Sequence, residues 1–286
     1  MMRTWISKVL GATLLLAATV AMATSPSEQV RAQTEASMLL TGTIDIAADG
    51  RVGGYTIDHA DKVPDYVLSN IALVVPGWRF EPMLVDGEPV AERVRMSLRM
   101  VAKPAEDNKF SIYIASAGFG QKSKSKPTDS IATLEMKRPV FPDDVLRMGG
   151  EGIVYLLLKI GRQGTVEDVA VEQVNLTAYA SRIKMQRIRS SLAAAAAGKA
   201  REWTFRTPST GELADDEFWS ARVPVDFSYF GDQAATYGQW NVYLSGPRTQ
   251  APWLAGDSRV GNNALASGEL QTIGSGPRLL TPLKEG

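Results

Sequence analysis

The side chains able to do chemistry are few and scattered. The chain of 286 residues has no cysteine and one histidine, His59, which excludes thiolate metal sites, cysteine nucleophiles and any multi-histidine centre within one chain. His59 follows Asp58 at an expected strand end with no nucleophile motif beside it, and it reads as a surface turn residue. Glu88, Asp215, Asp216 and Glu217 lie in polar turns, where carboxylates serve solvation. A glycosidase needs two carboxyl groups facing one another across a cleft, which neighbours in one loop do not supply. No loop alternates Asp, Asn and Gly as a calcium loop does, and the Ala-Gly-Lys at 197–199 lacks the glycine-rich lead of a phosphate loop. Asn175-Leu176-Thr177 fits a glycosylation sequon but reads as a helix start. The expectation is a protein with no catalytic residues, no metal and no cofactor.

Charge points to no polyanionic partner either. Lys plus Arg and Asp plus Glu both number 31, so no global field favours nucleic acid. Arg93, Arg95 and Arg99 alternate with Val94, Met96, Leu98 and Met100, which gives an expected strand one cationic, solvated face and one apolar face. Lys122, Lys124 and Lys126 fall in a Gly/Ser-rich run with the composition of a flexible basic linker.

The elements that must position these residues start after a leader. Arg3 and Lys8, an apolar run of about fourteen residues at 9–22, and the exit Ala21-Met22-Ala23 are the three parts of a secretory signal peptide. The run is shorter than the roughly 17–25 residues that span a bilayer. Cleavage after Ala23 would leave no stable membrane anchor. Residues 24–36 are polar and read as a flexible lead-in.

An alternating stretch at 41–47, the Asp49-Gly50 turn and a second stretch at 52–57 predict a hairpin. A helix over 64–75 follows, started by Pro64 and stopped by Pro76-Gly77, with Tyr66, Leu68, Ile71, Val74 and Val75 as its apolar face. Trp78-Arg79-Phe80, a turn at Asp86-Gly87 and the arginine-bearing strand complete a first unit. Phe110, Ile112 and Ile114 suit an added edge strand. A second unit repeats the order. Arg138-Pro139-Val140-Phe141-Pro142 leads into a short helical segment, its prolines holding the entry extended or at a helix start. An apolar strand from Gly152, the Gly164 turn, a strand over 166–174, a helix over 178–202, Trp203-Thr204-Phe205 and a strand ending in Val223, Val225, Phe227 and Tyr229 follow. Ile183, Ile188 and Leu192 are the expected core stripe of that helix, with Arg182, Lys184, Arg187 and Arg189 outside. From turn glycine to tryptophan the spacing is 28 residues in the first unit and 39 in the second. Three extra turns of the second helix accommodate the difference. Pro224 forbids a fully bonded central strand and marks the last one as an edge. Residues 232–286 are rich in Gly, Pro, Ser and Asn and read as a largely irregular tail, whose residues 240–244 are apolar enough to dock back on that edge.

Phe141-Pro142, Glu151-Gly152-Ile153-Val154, Gly164-Thr165-Val166 and Trp203-Thr204-Phe205, in this order, resemble the TonB C-terminal domain family over residues 137–230. The resemblance implies an α+β fold with helices packed on one face of a short antiparallel sheet. Extended to the repeat, it implies two tandem small domains, 37–116 and 137–231, joined by a linker at 117–136. It further implies binding of a short segment of an outer-membrane transporter, or another envelope protein, by strand addition. Carried onto this sequence, the contacts fall on Pro139, Phe141 and Pro142 at the entry and on Val223, Val225, Phe227 and Tyr229 at the sheet edge. With no anchor and no long proline-rich spacer, a soluble periplasmic relative fits better than an energy transducer. An envelope-assembly scaffold is the alternative reading, and a cell-wall hydrolase built from distant carboxylates is a lesser one.

The leader reading makes a direct prediction. The exported protein should have the intact mass of a chain beginning at Thr24, and full-length protein retained in the membrane would overturn it.

Overall fold

The computed structural model describes residues 34–85, 87–105, 109–120, 127–211, 213–229, 236–255, 270–274 and 276–283. The leader, most of the lead-in and the three lysines of the basic run lie outside these residues. In the first half, β1 (Thr34–Ile46) and β2 (Val52–Ile57) form the expected hairpin. After it come α1 (Asp65–Val74), the short pair β3 (Leu84–Val85) and β4 (Glu88–Pro89), then β5 (Glu92–Pro104) and β6 (Phe110–Phe119). The second half contains β7 (Ala132–Glu135), α2 (Asp143–Met148), β8 (Gly152–Gly161) and β9 (Val166–Leu176). It continues with α3 (Arg182–Ala200), β10 (Thr204–Arg206) and β11 (Phe218–Phe227). Two strands come from the tail, β12 (Asn241–Leu244) and β13 (Gln271–Thr272).

The fold is α+β. Nine strands share one sheet in the order β13-β11-β8-β9-β12-β1-β5-β6, with β2 also on β1. Within it the halves use the same connections: β1 pairs β2 and β5, and β8 pairs β9 and β11, all antiparallel. The turn glycines have the same job in each half. Gly50 and Gly164 both have φ of 78°, and their carbonyls accept the amides of Phe80 and Phe205 at 2.8 Å. A Cβ on either would lie within about 2 Å of the facing phenylalanine carbonyl oxygen, so the turn and the Trp-x-Phe segment close on each other only through glycine.

Two separate cores sit on the helix-bearing face. One gathers Met38, Leu40, Ile44, Val67, Ile71, Trp78 and Phe80; the other gathers Val154, Leu156, Ile188, Leu192, Trp203, Phe205 and Val223. α1 buries Val67 and Ile71, with Val63 and Val75 flanking them at a spacing of four. Tyr66 and Val74, assigned to that face from the sequence, are exposed. α3 buries Met185, Ile188, Leu192, Ala196, Ala197 and Ala200, whereas Ile183 is 80% exposed, outside the stripe. α3 is 19 residues long against 10 for α1, so helix takes up nine of the eleven extra residues. It begins at Arg182, later than expected, because β9 runs on to Leu176 and the chain needs residues 177–181 to turn. Asn175 is therefore neither a helix start nor an accessible sequon. It is buried at the end of β9, where its Oδ1 accepts the amide of Gly246 at 3.1 Å.

Two expectations for the connections are corrected. Strand β1 starts at Thr34, inside the supposed lead-in. The span read as a linker contributes the end of β6 and all of β7, which pairs with β10. The tail is irregular over most of its described residues, but two short strands from it join the sheet. β12 inserts between the halves, pairing β1 over Thr34 to Ser37 and touching β9 through Leu244 and Leu176. The helix-free face of the second half is also covered by the tail, through a small core of Leu157, Ala251, Leu254 and Ile273. Beside it lies a buried ion network. Arg222 donates to both oxygens of Glu172 at 2.6 and 2.8 Å, and Arg248 adds a contact at 2.9 Å.

The arginine face of β5 is only partly solvated. Arg93 and Arg95 pair with Asp45 and Asp58. Arg99 instead lies 5.2 Å from the ring of Tyr155 on β8 and 5.6 Å from that of Tyr243 on β12. Strands β9, β12 and β1 stand between β8 and β5, about 19 Å on a flat sheet at about 4.8 Å per strand. The contact therefore requires the sheet to bend toward its helix-free face.

Glu172 makes acid stability measurable. Burial pushes its pKa up, but Arg222 and then Arg248 overcome burial and hold it below the ordinary glutamate range. A depressed folded pKa gives stability that is present above the unfolded value of about 4.3 and is lost as pH falls through the folded value. Trp253 fluorescence should report loosening of the tail only below about pH 4. Glu172→Gln should remove that acid step and cost about 3–5 kcal/mol at neutral pH, because Arg222 is left buried without its carboxylate.

Candidate functional site

The entry segment and the end of β11 are brought together. Lys137 is anchored by its carbonyl, which accepts the Trp203 indole N–H at 2.8 Å. From there Pro139-Val140-Phe141-Pro142 runs extended to α2, with Pro142 at the N-cap (φ −67°, ψ 129°). The Phe141 ring meets Phe227 edge-on at 5.6 Å and stacks on Tyr229 at 5.2 Å with 18° between planes. Tyr229 is held from two other directions: its amide donates to Glu151 Oε1 at 2.8 Å, and its hydroxyl donates to the Leu146 carbonyl at 3.3 Å. Burial, and after it the Glu151 carboxylate, push the Tyr229 phenol up, so it stays a neutral donor. The Ser191 hydroxyl donates to Asp144 at 2.7 Å and ties α2 to α3. The stack thus rests on a fixed base.

The sequence-predicted site residues divide into two groups. Pro139, Phe141 and Pro142 are half-buried and Tyr229 is 37% exposed. Val223, Val225 and Phe227 are buried in the second core. Their side chains are spent on the core they share with α2 and α3 and on Phe141, and cannot form pockets for a partner; what the strand could offer one is its backbone. Two exposed apolar side chains beside the stack were missed, Val140 at 86% exposure and Leu146. Val140 lies inside the motif itself, and an apolar residue between two φ-restricted prolines was the available signal.

The expected occupant of the β11 edge is also corrected. Residues 241–244 form β12 on the far side of the sheet, away from β11. A later tail segment takes part of the edge: β13 pairs Ala221 and Arg222, and the Ile273 amide donates to the Ser220 carbonyl at 2.7 Å. Since Ser220 turns its carbonyl outward, the alternation of a strand puts Pro224 on the same outer side, where its missing N–H costs no ladder bond. β11 pairs with β8 along its whole length. Among the described residues, strand pairing on its outer side stops at Arg222.

Among the described residues no three carboxylate or histidine groups gather as a metal site. His59 is exposed in a left-handed turn (φ 45°) and packs against the Tyr237 ring at 5.6 Å. Asp215 and Asp216 offer their backbone carbonyls to Arg162.

No protein-family model and no curated protein matches the chain. Among solved structures, the TonB C-terminal domain of Pseudomonas aeruginosa, determined in solution by NMR, is similar: 21% identical, over 35% of this chain and 88% of that one, with a TM-score of 0.23. A likeness of that size determines neither topology nor activity.

Phe141→Ala should cost about 1–3 kcal/mol, below the 3–5 typical of a fully buried phenylalanine, because the ring is only partly buried. Val140→Asp should change stability by no more than about 0.5 kcal/mol. Chemical denaturation of the two variants checks both.

Proposed function

We propose that this protein is a periplasmic, non-enzymatic interaction module that takes an extended segment of an envelope or outer-membrane transporter protein onto the end of β11. The observation that carries the reading is the partial cover of that strand among the described residues. β13 pairs with only Ala221 and Arg222, and the fixed Phe141–Tyr229 stack stands beside the end left over. An added strand gains main-chain hydrogen bonds there, and the stack with Val140 and Leu146 offers an apolar contact for alternate side chains. The shared connections of the two halves, together with the matching Gly50–Phe80 and Gly164–Phe205 closures, support reading them as tandem TonB C-terminal-like domains.

A scaffold role is the second reading, favoured by the sheet that β12 makes continuous across both halves. In that case the protein would hold two partners at a set separation.

Titrating the mature protein with extended transporter-derived peptides, read by amide shifts, distinguishes these readings. Strand addition predicts shifts centred on Tyr229 and the β11 amides, with β12 unaffected, and about tenfold weaker binding for Phe141→Ala. If no peptide binds, and Phe141→Ala leaves every protein captured from envelope extract unchanged, strand addition at this site is wrong.

A further inference from the structure

The first half carries its own strand-accepting edge, and the end of the chain is seated on it. Arg79 and Phe80 turn one side to the Gly50 hairpin. On the other side the Leu280 amide donates to the Arg79 carbonyl at 2.8 Å and the Glu81 amide donates to the Arg278 carbonyl at 2.9 Å, in an antiparallel bridge of Phe80 with Leu279. Thr281 completes the grip, its Oγ1 accepting the Arg79 amide at 2.8 Å. Leu279 and Leu283 pack against the first core while Leu280 faces solvent, the alternation of an added strand.

The second half shows what this place is. There Phe205 and Thr204, the counterparts of Phe80 and Arg79, pair with Thr133 and Glu135 of β7. In one half the Trp-x-Phe edge is completed by the segment leading into the domain. In the other the same position is filled from the opposite end of the chain, about 200 residues away. One edge geometry thus accepts two unrelated sequences, Ala-Thr-Leu-Glu and Arg-Leu-Leu-Thr, which is expected when main-chain bonds supply most of the recognition.

We infer that the Arg79–Phe80 edge is a strand-acceptor site for short, proline-bounded extended segments with a leucine at the centre, and that residues 278–281 are its exchangeable occupant. Pro277 and Pro282 bracket the segment, fix its ends extended and limit pairing to the four residues between them. The segment is tethered, so it competes at an effective concentration in the millimolar range, and a free peptide binds only when the tethered copy is disabled. This site is independent of the β11 edge and stands whether or not that edge takes a partner.

The test uses the full chain and a labelled peptide of residues 276–283. Leu279→Asp disables the tethered copy, and the peptide should then bind the variant at least about tenfold more tightly than the wild type. A peptide carrying the same Leu279→Asp change should bind neither. A folded variant that ignores the wild-type peptide, or binds it no better than the wild type does, overturns the inference. Should the variant fail to fold, hydrogen exchange on the wild type decides. The Glu81 and Leu280 amides must open together and well before the β5 amides around Leu98, and exchange only through global unfolding overturns the inference.

Discussion

Continuity of the sheet depends on a four-residue strand from the tail. A sheet edge leaves backbone groups that must find partners when water is excluded, and the edges of β1 and β9 meet this demand through β12. The link is lopsided, with four paired residues toward β1 and a single pair, Leu244 with Leu176, toward β9. Arg189 of α3 strengthens the weak side by donating to the carbonyls of Val174, Leu244 and Ser245. Burial lowers its pKa, which an arginine tolerates because it remains charged. On the other face Arg99 lies over Tyr243, whose hydroxyl donates to Glu35 at 2.6 Å. One strand is therefore held by two arginines, one on each face.

The tail is bound by more than one kind of force. Around Glu172 the grip is ionic and buried, specific in geometry and sensitive to acid. Around Leu254 and Ile273 it is apolar and indifferent to pH. At residues 278–281 it is mostly main-chain pairing at an edge. Contacts of the last kind open at the lowest cost, because few buried side chains are lost when they part. The order in which the tail detaches should follow that ranking.

Exposure at the candidate site reflects the same economy of edges. Val223, Val225 and Phe227 are consumed by the second core, and the Phe141–Tyr229 stack stands at its margin. A strand that spends its side chains on the core has only its backbone to offer at an edge. Val140, held between two prolines, stays outside that core and exposed.

The sequence by itself determined the local elements. Alternation marked β5, β6 and β11, turn glycines marked both hairpins, and prolines marked the starts of α1 and α2, since these signals act over a few residues and need no distant partner. It also grouped Phe141 with the residues of the second core. It did not decide which apolar residues are core. Tyr66 and Ile183 satisfy helical periodicity as well as Val67 and Met185 do, and only the angle at which each helix meets the sheet separates them. Nor did it reveal the tail's role. β12 pairs with residues about 200 positions away, and β13 and residues 278–281 are two to four residues long, so no periodic signal distinguishes them from loop. Their strand character comes from the edges they meet, and those edges exist only once the rest of the sheet has formed.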